Sequence, residues 1–184
     1  MNLCKGDRRL EIDVDKPTIS ENHARLVKRA RRWLFARYPL VISELASGME
    51  VADALGIGHG ESTLIECKVS RSDFIADRKK FFRAYPDCGL GNLRYYLCPK
   101  GLIESGELPE GWGLLYSCEN QVREITKAKP FSKDHQKEIS ILASLIRRIG
   151  NAPHGVSIKN YFIETKNRAV ALIKAPDRHD YKEE

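Results

Sequence analysis

The sequence predicts a single-domain α/β protein of the α+β type, with a mixed central sheet flanked by helices. Three observations carry that expectation. The chain has 184 residues, enough for one sizeable core. Short runs with strand periodicity follow one another between residues 39 and 126. Amphipathic helical patterns precede, interrupt and follow those runs. The composition, 42% hydrophobic and 30% charged, is that of an ordinary globular protein.

Residues 1–17 are polar and mixed in charge, and read as a flexible arm. Thr18 and Glu21 have the spacing of a capping box. The helix they open carries an apolar stripe of Leu26, Ala30, Trp33, Leu34 and Ala36, and Pro39 ends it. Its other face holds Arg25, Lys28, Arg29, Arg31, Arg32 and Arg37 with no acid among them. A charged helix face is usually just solvated, but one of a single sign also suits phosphate contact. "PLVISEL", "MEVADALGI" and "STLIECKVS" read as three strands. The glycine-rich joint "GIGHGES" lacks the Gly-Lys-Ser/Thr of a phosphate loop and leads into a strand, so it reads as a hairpin turn with His59 solvated in it.

Ser70 and Asp73 repeat the capping spacing, and a helical rhythm through Phe74, Arg78, Phe81 and Phe82 continues to about Tyr85. "NLRYYLCP" reads as a central strand, and "GLLYSC" with "QVREIT" as a terminal hairpin. Residues 133–149 form a helix whose predicted buried stripe is Ile139, Leu142, Ile146 and Ile149. Residues 151–184 read as an extension packed on the core and fraying past Pro176; within it, "SIKNYFIETKNRAVALI" fits helix and hairpin equally.

Net charge is +6 and the sequence pI is about 9.1, a lean toward polyanions. The cysteines (Cys4, Cys67, Cys88, Cys98, Cys118) are odd in number and widely spaced, without C-x-x-C. That argues against a disulfide framework or a zinc knuckle and predicts reduced thiols in the cytoplasm. No apolar run approaches the length of a membrane span, so no membrane partner is expected.

The chemistry concentrates in residues 53–68. With a strand's two-residue period, Leu64, Glu66 and Lys68 share one face, and Val51, Asp53, Leu55 and Ile57 share another. Asp53 then stands among apolar neighbours, which is costly for a lone carboxylate unless it is paired or binds a metal. The hairpin brings it beside Glu66, where a divalent cation would relieve their repulsion. Mg²⁺, with Mn²⁺ as a substitute, would there polarise a phosphodiester and acidify a water. Lys68, close to that cation, is expected to have a depressed pKa and to orient or deprotonate the water. Glu-x-Lys alone is commonplace on exposed strands; the joint pattern of acid, hairpin, acid-x-lysine and basic helix is more demanding. The scattered histidines, His23 among them, have no ligand spacing. Asp73 and Asp77, at i and i+4 on the helix after the motif, could stand behind the site or simply pair with Arg78 and Lys80, and the pairing is favoured. Tyr95 and Tyr96 are candidates for base stacking, though strand aromatics more often pack in cores, as Trp112 is expected to.

Asp53, followed after twelve residues by Glu66-Cys67-Lys68, resembles the signature of the PD-(D/E)XK nuclease superfamily. Ala52 stands where that signature has its proline. The run "IECKVSRSDFIADRKK" is similar to MmcB-like DNA-repair-associated proteins and to related phage and prophage proteins, a likeness covering about residues 44–118. The resemblance implies a restriction-endonuclease-like αβββαβ core within residues 18–150. It also implies Asp53, Glu66 and the Cys67 main-chain carbonyl as metal ligands, Lys68 as catalytic lysine and Glu44 as an additional acid. The activity implied is Mg²⁺-dependent DNA hydrolysis, with homodimers where both strands are cut. The glutamine of the exonuclease-type members is missing from the following helix, which favours endonucleolytic cleavage. Arg29, Arg32, Arg71, Arg78, Lys79 and Lys80 are the candidate phosphate contacts. RNA as substrate and a non-catalytic nucleic-acid binder remain open alternatives.

Overall fold

The computed structural model describes residues 18–47, 50–58, 60–150 and 163–165. The arm at 1–17, the His59 turn residue and all but three residues of the 151–184 extension lie outside them. Within them the chain forms α1 (Ile19–Phe35), β1 (Leu40–Ser47), β2 (Glu50–Gly58), β3 (Glu61–Cys67), α2 (Arg71–Asp77), α3 (Phe81–Ala84), β4 (Leu93–Pro99), β5 (Gly113–Ser117), β6 (Val122–Thr126), α4 (His135–Gly150) and β7 (Ile163–Thr165). The run from α1 to β4 follows the expected αβββαβ order, with the second helix in two pieces.

One seven-stranded sheet has the order β6-β5-β4-β3-β2-β1-β7. It is mixed: β3–β4 and β4–β5 are parallel, and the other neighbours are antiparallel. The parallel step from β3 to β4 needs a crossover, supplied by α2 and α3. Two apolar layers enclose the sheet. On one face Leu26, Val27, Ala30 and Leu34 of α1 meet Val41, Ala54, Ile65, Tyr95, Leu97 and Leu115. On the other, Phe74 of α2 and Ile141 and Leu145 of α4 meet Ile42, Leu55, Leu64, Tyr96 and Trp112.

The expected start signals work as their chemistry requires. Thr18 Oγ1 accepts the Glu21 N–H at 3.2 Å, and Glu21 Oε2 accepts the Thr18 N–H at 2.7 Å. Ser70 Oγ accepts the Asp73 N–H at 3.2 Å. Two expectations need correction. The helix predicted to run unbroken to Tyr85 ends at Asp77 and restarts at Phe81; the break turns Lys80 and Arg83 back onto Asp77. In α4, Ile139 and Ile146 are 56% and 70% exposed, while Glu138, Ile141 and Leu145 are buried. The helix carries apolar residues on two faces, and the one containing Glu138 wins because that carboxylate reaches Ser62 Oγ (2.6 Å), the Gly91 N–H and Lys133. Of the tail, only Ile163–Thr165 is described; it is a strand pairing antiparallel with β1 at the sheet edge.

Gly91 holds β4 against β3. Its φ is +79°, and a Cβ there would lie 2.8 Å from Leu64 Cβ and 2.9 Å from the Leu64 backbone nitrogen. Gly91→Ala combines left-handed strain of about 1–2 kcal/mol with overpacking of about 1–3 kcal/mol. A loss of about 2–5 kcal/mol is expected in urea unfolding at unchanged m-value.

Candidate active site

The site begins where two strands part. β2 and β3 pair from Gly58↔Glu61 to Ala54↔Ile65 and no further. The next rung would set Asp53 opposite Glu66. In its place the Asp53 side chain enters the gap, and its Oδ2 accepts the Cys67 N–H at 2.7 Å. On the far side of β2, the pairs Ser43↔Ala54 and Leu45↔Ala52 bracket a step at which Glu44 has a φ of 56°. That conformation is costly for a residue with a Cβ. Here the alternation of β2 also slips: Ala52 is buried in the α2/α4 layer, Ala54 in the α1 layer, and Val51 is 51% exposed. Val51 therefore does not share a buried face with Leu55, contrary to the regular-strand expectation. Asp53 is left in the fork, within reach of α1, and His23 Nε2 lies 3.4 Å from its Oδ1.

Glu66 and Lys68 lie on the α2–α3 side of β3, as the strand period predicted, and both are almost wholly buried. Lys68 Nζ lies 3.3 Å from Glu66 Oε2, 3.1 Å from Asp77 Oδ1 and 3.8 Å from Asp73 Oδ1. Asp77 is the hub: Lys80 Nζ is 2.7 Å from its Oδ1, and Arg83 Nε and the Tyr96 hydroxyl each donate to its Oδ2 at 2.7 Å. Arg83 and Lys80 extend to Glu66, at 3.5 and 3.6 Å. Arg83 also lies over the Trp112 ring, which stacks on Tyr96 with centroids 4.4 Å apart. Beside this set Glu50 is buried, its Oε2 accepting the Leu90 N–H while Oε1 has no hydrogen-bond partner.

The electrostatics follow from burial and neighbours. Burial raises the Glu66 pKa, and the nearby Asp53 charge raises it further, against the pull of Lys68 and Arg83. Burial works to lower the Lys68 pKa, but Glu66, Asp77 and Asp73 together outweigh it and raise it. The expected depression of Lys68 reckoned with a bound cation and left out the two carboxylates on α2, which help to raise it here. Asp77 is held below the usual carboxylate range, since Arg83, Lys68 and Lys80 outweigh its burial. His23 is raised by its bond to Asp53 in spite of partial burial, with Asp53, Asp73 and Glu44 adding their charge.

The donor set suits a hard divalent cation. The charge of Asp53 raises the proton affinity of Glu66, a repulsion of the kind a cation relieves, and Asp53, Glu66 and the Cys67 carbonyl are donor types that Mg²⁺ accepts. No cluster of three or more His, Cys, Asp or Glu residues able to hold a metal occurs among the described residues. Glu44 is exposed and near enough to act on His23.

The candidate phosphate contacts divide. Arg71 is engaged with Glu107 at 2.5 and 2.6 Å and with the Leu102 carbonyl at 3.0 Å. Arg29 donates to Ser117 Oγ at 2.8 Å and to the carbonyls of Cys118 and Glu119. Lys80 belongs to the charge cluster, and Arg32, Arg78 and Lys79 are exposed. Tyr95 and Tyr96 are buried and unavailable to bases, correcting that expectation; Trp112 packs, as expected. Asp77 pairs with Lys80 as predicted, but its other partners are Lys68, Arg83 and Tyr96 rather than Arg78. His23 and Arg83 were missed. Nothing in residue spacing links His23 to an aspartate thirty positions on, and nothing in it shows the helix break that turns Arg83 onto Asp77.

No protein-family model matches the chain, and no curated protein matches it. A solved Silicibacter pomeroyi protein of unknown function has the same fold, with TM-score 0.53 and 22% identity over 73% of this chain and 94% of that one. Among the described residues no helix is long and apolar enough to cross a membrane.

Asp77→Asn removes the charge that balances Lys68 and Arg83. Breaking a buried pair this way costs about 3–5 kcal/mol at pH 7. Since the folded-state pKa of Asp77 lies below its unfolded value near about 3.9, its contribution is fully present above about pH 4. It is lost as pH falls through the folded value. Urea unfolding of both proteins should give a constant stability gap from pH 7 to 5 that narrows in stronger acid.

Proposed function

We propose that the chain is a metal-dependent nuclease of the PD-(D/E)XK, restriction-endonuclease-like type. Its substrate is DNA and its cleavage endonucleolytic. The observation that carries this reading is the fork itself: Asp53 in the gap between β2 and β3, beside a buried Glu66 whose proton affinity it raises, with the Lys68 ammonium 3.3 Å from Glu66. A purely structural strand end gains nothing from gathering two like charges there. The αβββαβ element order supports it as well.

Asp53, Glu66 and the Cys67 carbonyl would hold the metal, with Glu44 beside them. Mg²⁺ supplies charge on the scissile phosphate and an acidified water. The chain's own groups do the rest. Lys68, kept charged by Glu66, Asp77 and Asp73, orients the attacking water and offsets charge that develops on the phosphoryl oxygens. Asp77 and Arg83 fix the position of Lys68 and Glu66, so little reorganisation accompanies the reaction. His23 steadies Asp53 from α1.

One observation favours a second reading. Glu66 is already met by Lys68, Lys80 and Arg83, an arrangement that satisfies a buried carboxylate without a metal. On that reading the chain grips nucleic acid without cutting it. The two separate on labelled duplex, branched and single-stranded DNA and RNA incubated with Mg²⁺, Mn²⁺ or EDTA. The nuclease cuts with metal only, and Lys68→Ala and Asp53→Ala each lower the rate by about 10²-fold or more. Retention of the probes without cleavage in any metal overturns the nuclease and leaves the binder.

A further inference from the structure

Outside the fork, exposed positive charge lies along α1, at Arg25, Lys28 and Arg32. Arg25, Arg29 and Arg32 fall on one stripe, at i, i+4 and i+7, about 6 and 4.5 Å apart along the axis. Arg25 and Arg32 are exposed and meet no acidic partner among the described residues. Arg29, by contrast, is bolted to the β5–β6 turn through Ser117, Cys118 and Glu119. It joins α1 to that turn and divides the surface into two hollows that share it. The first, about 300 Å³, lies between Asn22, Arg25, Val69 and Pro99. The second, about 400 Å³, lies between Arg32, Trp33, Arg37 and Gln121. The first lies on the α1 side of the sheet, where Asn22 precedes His23, which touches Asp53. In the second the Arg37 guanidinium lies over the Trp33 indole, 3.7 Å from the ring centre. Glu119, at the joint, is the one acidic residue among the described lining of either hollow.

We infer that this two-hollow groove is the track for a single-stranded nucleic acid running from the fork along α1. The inference rests on the nucleic-acid reading of the site but not on cleavage. Arg25 and Arg32 meet successive phosphates, and the Arg37–Trp33 surface receives a base. Stacking on an aromatic ring or a guanidinium plane, in a groove of positive charge, is the chemistry by which unpaired strands are held without regard to sequence. Hollows of 300–400 Å³ are large enough for a nucleotide, and a base already stacked inside a duplex is not available to enter one.

The test is fluorescence anisotropy in EDTA, so that no cutting intervenes, with single-stranded DNA, single-stranded RNA and duplex DNA probes across a salt series. The wild-type chain should bind the single strands at least about 10-fold more tightly than the duplex. Arg25→Ala/Arg32→Ala should weaken single-strand binding about 10-fold or more and reduce the log–log salt slope by about 1.4. Lys127→Ala/Lys129→Ala removes the same charge from exposed positions outside both hollows and should change neither. Bound single strand should also quench Trp33, the partly exposed tryptophan, while Trp112 is buried. Equal binding of duplex, equal losses in the two double variants, or no binding of any probe overturns the groove. If the probes bind in this way but are never cut with metal, the nuclease reading fails and the groove stands. The DNA and RNA arms name which strand it carries.

Discussion

Asp77 is the residue on which the buried charge of this protein depends. Lys68 and Arg83 are buried side by side, and desolvation costs several kcal/mol per ion, which a neighbouring anion offsets. Glu66 alone does not suffice: it is buried, close to Asp53, and its proton affinity is raised. Asp77 accepts from Lys68, Lys80, Arg83 and Tyr96 at once and stays ionised. Arg83 then bridges the hub to Glu66 and covers Trp112, so the charge layer and the apolar layer beneath it are one structure. The break between α2 and α3 has its reason here. A continuous helix would place Lys80 and Arg83 at fixed angles from Asp77, whereas the turn at residues 78–80 folds both onto it.

The fork between β2 and β3 is a second constraint, linked to the first through Glu66. A regular ladder would pair Asp53 with Glu66 across two strands. By ending one rung early, the ladder frees a backbone N–H at Cys67 and gives it to the Asp53 carboxylate. The irregular backbone at Glu44 lies directly across β2 from this point. Strain at one strand, slippage in the next and a missing rung beyond it thus meet at one residue, as expected where a chain gives up regular pairing to place a side chain.

Much of this was readable from the sequence. The strand period of residues 63–69 put Glu66 and Lys68 together on one face, and both capping residues were recognisable because their interactions span only three positions. The order of elements up to β4 was legible for the same local reason. What could not be read depends on contacts between distant segments. The burial of Glu138 on α4 is decided by Ser62 and Gly91, so periodicity alone chose the wrong stripe. Arg29 and Arg71 looked like free cations because the carbonyls and Glu107 that hold them lie in later loops. The raised proton affinity of Lys68 comes from Glu66 together with Asp77 and Asp73, and the last two lie beyond a motif that ends at residue 68.

The cations around Glu66 are not equivalent. Lys68 and Arg83 are buried, each with 4% of its side chain exposed, and neither can leave without opening the core. Lys80 is 48% exposed, on the turn between two short helices. It reaches Glu66 and Asp77 from outside, so its charge is the one at this carboxylate that can be exchanged with little loss of packing. A fixed pair of cations keeps Glu66 in place, while the exchangeable one sets how much of its charge is offered to the fork. Geometry that holds an acid rigidly and leaves one of its counter-charges replaceable is consistent with metal-assisted chemistry and with phosphate capture alike.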